Sequence, residues 1–198
     1  MDRIPPEVLL NAYAQGIFPM AEQGEILWFA PRNRGLIPLD DRFHISKNLR
    51  KLLRRKPFEI RWNTAFREVM KGCAEREETW IDEAILDSYE ELHHRQLAWS
   101  VECWDEQGLQ GGLYGVRMAR AFFGESMFSR KKDASKVALV ALVQCLRDDG
   151  AILLDTQWMT DHLRTFGGYE VTRGIYHEML AEALEEKPQI LSQNPAQL

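Results

Sequence analysis

Ala121-Phe122-Phe123-Gly124-Glu125-Ser126-Met127-Phe128-Ser129, then an apolar stretch, then Ala151-Ile152-Leu153-Leu154-Asp155-Thr156-Gln157: the reading of these residues decides the fold. The two outer segments are short apolar runs rich in aromatic and branched side chains, the pattern of buried strands. Between them, Ala134 to Leu146 is apolar almost all round, which predicts a buried helix. A strand, a crossover helix and a second strand make a parallel, right-handed unit. Such a unit brings the carboxyl ends of both strands to one edge of the sheet, where open α/β folds bind ligands. Glu125 is expected at one of those ends, and Asp155 and Gln157 at the other. Two residues apart, Asp155 and Gln157 share a face for as long as the strand persists.

Upstream, Phe58, Ile60 and Trp62 alternate with Glu59 and Arg61 as a half-buried strand. Asn63 is placed to cap a helix with Phe66, Val69, Met70 and Cys73 inward, and Asp82 to cap another bearing Ile85, Tyr89 and Leu92. Trp99, Val101 and Cys103 form the next strand, and Asp105 to Gly108 a hairpin turn. Leu109 to Val116 follows, carrying Gly111, Gly112 and Gly115; glycines inside a strand mark a bulge or a close approach. Downstream come a helix from Thr160, a strand from Gly168 to Val171 and a helix from Gly174 to Glu185. The order from residue 57 is therefore β-α-α-β-β-β-α-β-α-β-α.

The opening third is dense in proline, glycine and aromatics. Pro6 to Gln15 reads as a short helix, Gly16-Ile17-Phe18-Pro19 as a turn, Ile26 to Phe29 as a strand and Arg32 to Asp41 as turn-rich. Ser46 is a good N-cap for a helix whose Ile45, Leu49, Leu52 and Leu53 line one face. Residues 1–56 are read as a small N-terminal domain, 57–186 as the main domain and 187–198 as a loose tail. Lys47, Arg50, Lys51, Arg54, Arg55 and Lys56 cover the other faces of the Ser46 helix, with no acid from Phe43 to Phe58. A charge run is by default a solvated face, but an ordinary solvated helix mixes signs. In a chain of net charge −5 this asymmetry favours a phosphate-binding surface.

With 198 residues, 45% of them hydrophobic, the chain can bury one full core and a small appendage. Cys73, Cys103 and Cys145 are odd in number and widely spaced, which suggests neither a disulfide framework nor a zinc site. Buried thiols in a reducing compartment fit better. The first residues lack the apolar core of a secretory signal, and the longest apolar run, Val137 to Val143, is too short to span a bilayer. The expected location is cytoplasmic.

The element order resembles the acetyltransferase fold of the GNAT superfamily. The expected class is thus α+β, a mixed central sheet flanked by helices, with the small N-terminal domain beside it. In that fold the fourth and fifth strands are parallel and splay apart to make the site. Acetyl-CoA enzymes hold pyrophosphate on a glycine-rich loop before the crossover helix. Here Ser129-Arg130-Lys131-Lys132-Asp133-Ala134-Ser135-Lys136 has no glycine, so the coenzyme site looks lost.

More closely, the chain resembles the leucyl/phenylalanyl-tRNA–protein transferase family. The matching segments include Ala12-Tyr13 with Gly16-Ile17-Phe18-Pro19, Leu27-Trp28, Pro31-Arg32 and His44-Ile45-Ser46. They continue through Gly72-Cys73-Ala74, Thr79-Trp80-Ile81, Gly111-Gly112 with Tyr114-Gly115-Val116, and Gly124-Glu125-Ser126-Met127-Phe128-Ser129 followed by Ala134-Ser135-Lys136. The resemblance implies transfer of Leu or Phe, with Met as a further donor to test, from aminoacyl-tRNA onto proteins beginning with Arg or Lys. The product carries a degradation signal, an N-degron. Asp155 and Gln157 match the family's proposed catalytic pair, and Glu125 a further carboxylate of its site. Trp28, Phe29, Trp80, Leu113, Phe122, Leu142 and Ser126 are assigned to the amino-acid pocket. The basic helix, Lys47 to Lys56, falls where the family grips the tRNA acceptor stem. Departures are Met20 for a frequent Trp, Phe29 for a second Trp, Leu113 for Met, and one residue fewer between Glu78 and Thr79. Relatives commonly carry an additional N-terminal segment.

Aminolysis of an already activated ester implies no cofactor, no metal and no ATP. The attacking α-amine has an ordinary pKa of about 7.7–8.0, so positioning, one proton acceptor and an oxyanion donor suffice. Asp155 is expected to orient Gln157 and help draw the proton, Gln157 to hold the attacking nitrogen or the tetrahedral oxygen, and Glu125 to contact the donor's α-ammonium or ribose. Two rivals stand beside this reading. One is a GNAT-type N-acetyltransferase, betrayed by acetyl-CoA binding. The other is a non-catalytic tRNA- or N-degron-binding module.

Overall fold

The computed structural model describes residues 3–185, so the expected tail at 187–198 lies outside the described residues. The chain opens with helix α1 (Pro6–Ala14) and a hairpin of β1 (Phe18–Glu22) and β2 (Glu25–Phe29). Then come β3 (Asn33–Ile37), α2 (Lys47–Arg54), β4 (Glu59–Trp62), α3 (Phe66–Ala74), α4 (Glu83–His94), β5 (Ala98–Asp105) and β6 (Gly108–Met118). The remainder is β7 (Ala121–Ser129), α5 (Ala134–Asp148), β8 (Leu153–Gln157), α6 (Asp161–Arg164), β9 (Tyr169–Thr172) and α7 (Arg173–Leu184). From β4 onward the order is the one read from the sequence. Ser46, Asp82 and Thr160 cap α2, α4 and α6 through side-chain oxygens that accept backbone N–H bonds, as their residue types imply.

Seven strands form one mixed sheet in the order β4-β5-β6-β7-β8-β3-β9. The pair β7–β8 is parallel and the other neighbours are antiparallel. The fourth and fifth strands after residue 57 are therefore the parallel ones, as the acetyltransferase-like order required. Helices α1, α3, α4 and α7 cover one face around Tyr13, Met70, Ile85, Tyr89, Phe123 and Tyr176. Helix α5, with α2 and α6, covers the other around Leu49, Val101, Phe122, Leu139, Leu142 and Leu154. Buried on both sides, β7 and β8 read as continuous apolar runs, which is why they were legible.

Three local expectations are corrected. Arg32 to Asp41 is not merely turn-rich, because Asn33–Ile37 is β3, wedged between β8 and β9. Its Arg-Gly start hides the strand, which is carried by tertiary pairing rather than by its own propensity. The main sheet thus draws one strand from before residue 57. Gly16 to Pro19 is not all turn, since Phe18 and Pro19 open β1. Asn63 does not cap α3. It sits at φ +58 with its Oδ1 accepting from Ser100 N, while the buried Glu102 carboxylate accepts from the N–H groups of Thr64 and Ala65.

Candidate active site

The parallel pairing of β7 and β8 lasts only for Ala121↔Leu153, Phe122↔Leu154 and Phe123↔Asp155. Beyond it the strands part. Each carries a β-bulge at that point. Between β6 and β7, Tyr114 pairs with Ser126 but Gly115 pairs with Gly124, which leaves Glu125 as the unpaired residue. Between β3 and β8, Gly35 pairs with Gln157 but Leu36 pairs with Asp155, which leaves Thr156 unpaired. An extra residue bends its strand and re-aims the side chains around it. Glu125 is therefore not at the end of β7, as expected, but in its middle, where β8 leaves.

The gap is a cavity of about 330 Å³, within the range that seats a small ligand. Leu113, Met127, Leu139, Leu142, Leu154 and Leu163 supply an apolar wall. Glu125, Ser126, Gln157, Tyr114, Thr156 and Arg76 supply the polar groups, and Phe18, Met20, Trp80 and Trp158 line it as well. Of the residues assigned to a pocket from the sequence, Trp80, Leu113, Leu142 and Ser126 line this cavity. Trp28, Phe29 and Phe122 do not. Trp28 stands 41% exposed on the hairpin, and Phe122 is fully buried behind the wall. Phe29 packs on Phe18 and Trp158 and so acts one layer back.

Glu125 is half-buried and densely hydrogen-bonded. Its Oε1 accepts from Tyr13 Oη at 2.7 Å and from Gln157 Nε2 at 3.2 Å, and its Oε2 from Tyr89 Oη at 3.2 Å. The two tyrosine hydroxyls also touch each other. Desolvation pushes the Glu125 carboxyl up to about 7, against the pull of the two tyrosines, and the Asp155 charge adds to the rise. A carboxyl poised there can gain or lose a proton at working pH. Tyr13 and Tyr89 themselves are raised well above the ordinary phenol, first by burial and then by the Glu125 charge.

Asp155 is fully enclosed and does not reach the cavity. Arg34 of β3 grips it through Nε at 2.8 Å to Oδ1 and Nη2 at 2.7 Å to Oδ2, and Tyr176 Oη donates to Oδ2 at 2.6 Å. Arg34 in turn lies between the rings of Phe18 and Tyr176, 5.0 and 4.5 Å from their centroids, and donates to Gly16 O. Asp155 Oδ1 accepts from Gln157 N at 2.8 Å. That bond holds Gln157 at φ +57, a left-handed conformation a non-glycine residue adopts only when its surroundings impose it. Gly35 leaves room for this turn, because a Cβ there would lie 2.8 Å from Trp158 C and Met159 N. Glu125 and Gln157 are thus in direct contact, while Asp155 acts on the cavity only through Gln157. Arg34, Tyr13, Tyr89 and Tyr176 were missed by sequence reading. Tyr13 lay inside a matching segment, but nothing in a single sequence ties it to Glu125, 112 positions away.

Lys47, Arg50, Lys51, Arg54, Arg55 and Lys56 are exposed, and none is in an ion pair among the described residues. The N-terminal loop of α5, which would hold a coenzyme pyrophosphate, instead ties Lys131 to Asp105 and Lys136 to Asp133. Cys73 and Cys103 are free, and burial pushes both thiols up to about 12. Among the described residues no cluster of His, Cys, Asp or Glu could hold a metal ion, and no helix is long and apolar enough to cross a membrane.

Residues 36–181 match the family model described as leucyl/phenylalanyl-tRNA protein transferase, and residues 2–32 match that of its N-terminal domain. A leucyl/phenylalanyl-tRNA–protein transferase of Akkermansia muciniphila is 58% identical over 94% of this chain and 99% of its own length. One from Herpetosiphon aurantiacus is 54% identical over 92% and 96%. Among solved structures, FemX superposes with a TM-score of 0.55 at 11% identity, over 84% of this chain and 66% of its own, a likeness of fold.

Proposed function

Since the chain belongs to the leucyl/phenylalanyl-tRNA–protein transferase family, we propose that the cavity between β7 and β8 seats the esterified amino acid of an aminoacyl-tRNA donor. The enzyme is an aminoacyltransferase that moves this amino acid from tRNA onto a protein. One observation carries the reading of the site: an apolar slot opens where the two strands part, with Glu125 and Gln157 in contact at its polar side.

The leucine-rich wall takes the Leu or Phe side chain, and the smaller contact it offers Ala or Gly costs about 1–3 kcal/mol per missing methylene. The acceptor's α-amine attacks the ester carbonyl carbon. A C–N bond forms, negative charge gathers on the carbonyl oxygen, and the amine becomes acidic. Glu125, ionised above its raised pKa, takes that proton. The ribose oxygen then leaves and needs a proton, which Glu125 returns. Gln157 orients the carboxylate and has a second N–H for the substrate. Asp155 keeps Gln157 in register rather than drawing the proton itself, because Arg34, Tyr176 and Gln157 N already occupy its oxygens. The acceptor begins with Arg or Lys, the product is an N-degron, and the setting is the cytoplasm. The exposed α2 cations hold the tRNA acceptor stem through its phosphates.

The test is incubation with radiolabelled Leu-, Phe- or Met-tRNA and peptides beginning with Arg, Lys or Ala. Acid-stable label in the Arg and Lys peptides is the expected result. Label that stays on tRNA would sink the reading, and acetyl-CoA consumption would replace it with N-acetyl transfer.

A further inference from the structure

Tyr114 lines the cavity from β6 and is fully buried, yet its hydroxyl has no hydrogen-bond partner. Buried hydroxyls are almost always paired, so an orphan in a ligand cavity needs a reason. Its surroundings make the omission specific. Tyr114 pairs across the strands with Ser126, the residue after Glu125, and its ring meets Tyr89 edge-on at 5.8 Å. The other donors around the carboxylate are engaged, save the second N–H of Gln157. Tyr13 and Tyr89 donate to Glu125, Gln157 donates to Glu125, and Arg76 donates to Ser126 Oγ and to Cys73 O. Among the described residues, two hydroxyls on residues lining the cavity are buried and unpaired, those of Tyr114 and Thr156. As whole residues the two differ: Tyr114 is completely enclosed, whereas Thr156 is partly exposed and sits at the β8 bulge. Burial and the neighbouring Glu125 charge keep the Tyr114 phenol protonated, hence a donor, throughout the working pH range.

We infer that Tyr114 is a catalytic residue whose hydroxyl donates to the carbonyl oxygen of the donor ester, a bond that strengthens as the oxygen takes on charge in the tetrahedral intermediate. No proton changes hands in this step. The O–H stays with Tyr114, and the oxygen's charge collapses back when the ribose leaves. The inference rests on the cavity being the donor's seat. A preorganised donor aimed at a developing oxyanion is worth up to about 10²–10³-fold in turnover.

Three proteins decide it: wild type, Tyr114→Phe and Met127→Trp, the last placing an indole in the slot from a half-buried position on β7. Each is checked for folding by thermal melting, then assayed for Leu transfer to an Arg-peptide. Tyr114→Phe should melt at or above the wild-type temperature, because it removes an unsatisfied buried group. Its kcat should fall by about 10-fold or more, with KM for charged tRNA changed far less. Met127→Trp should block transfer. If Met127→Trp transfers normally, the cavity is not the donor's seat and both readings fall. If Met127→Trp blocks transfer while Tyr114→Phe turns over at the wild-type rate, the Tyr114 assignment alone is overturned. A Tyr114→Phe protein that melts well below wild type also overturns it, since the hydroxyl would then have a structural partner.

Discussion

At Glu125, stability and chemistry pull in opposite directions. Its carboxyl titrates near 7 in the folded chain against about 4.3 in an unfolded one. The folded state therefore binds the proton more tightly, and its advantage is complete below the unfolded value and lost as pH rises through 7. Glu125→Gln should raise the melting temperature at pH 8 and leave it nearly unchanged at pH 4, with a ceiling of about 4 kcal/mol from the pKa difference. Transfer should fall sharply, and the limb of the pH–rate profile near 7 should vanish. A pH-independent change in melting would refute this account of Glu125. Gln157→Ala should lower kcat about 10²-fold while tRNA affinity, read by filter binding, stays put. Asp155→Ala is a different experiment. It strands a buried guanidinium, so a loss of about 3–5 kcal/mol in a urea melt is expected, and its inactivity will not by itself mark a catalytic group. The proposed site residues Glu125, Asp155 and Gln157 were legible as residue types at matching spacing. Its division of labour was not, because Arg34 and Tyr176 reach Asp155 from positions 121 and 21 away in the chain.

Bulges set the geometry at the level of elements. Two strands that stayed paired would leave no room between them. Glu125 and Thr156 are the surplus residues that force β7 and β8 apart, and glycines let neighbouring backbone close in around them. At Gly115 an added Cβ would fall 2.2 Å from Phe123 O, whereas at Gly124 the nearest atom, Asp155 O, is 3.5 Å away. Gly35→Ala should cost about 1–3 kcal/mol and depress kcat by disturbing Gln157, while Gly124→Ala should stay within about 1 kcal/mol of wild type. Equal urea midpoints for the two would refute the bulge account. Strands and helices from residue 57 on announced themselves through apolar period and caps. β3 did not, because five residues beginning Asn-Arg-Gly carry no strand signature of their own. The glycines of β6 were read as marking a bulge or a close approach; Gly115 lies at the bulge opposite β7, and at all three the close approach is by the chain itself.

Over the whole molecule, charge is divided as the sequence suggested. The chain is acidic, yet α2 and the two residues after it present six exposed cations to solvent, and only the leucine face of the helix meets α5. If those cations meet tRNA phosphates, Arg54→Ala and Arg55→Ala should each flatten the plot of log affinity against log salt by about one unit and leave kcat at saturating tRNA unchanged. An unaltered slope would remove α2 from the tRNA path. The same scale explains why a division at residue 56 looked natural and yet one strand of the main sheet lies ahead of it. Local composition changes there, but the partners of β3 lie far along the chain, and no window of sequence spans that distance.

That last placement has a bearing on synthesis. β3 leaves the ribosome well before β8, and Gly35 pairs with Gln157 only after more than a hundred further residues have been added. Until β8 and β9 emerge, Arg34 has no carboxylate to hold and the carboxylate's amide neighbour has no fixed aim. A nascent chain therefore cannot assemble the contact of Arg34 with Asp155, or the aim that Asp155 gives Gln157, until the strand carrying both partners has been made.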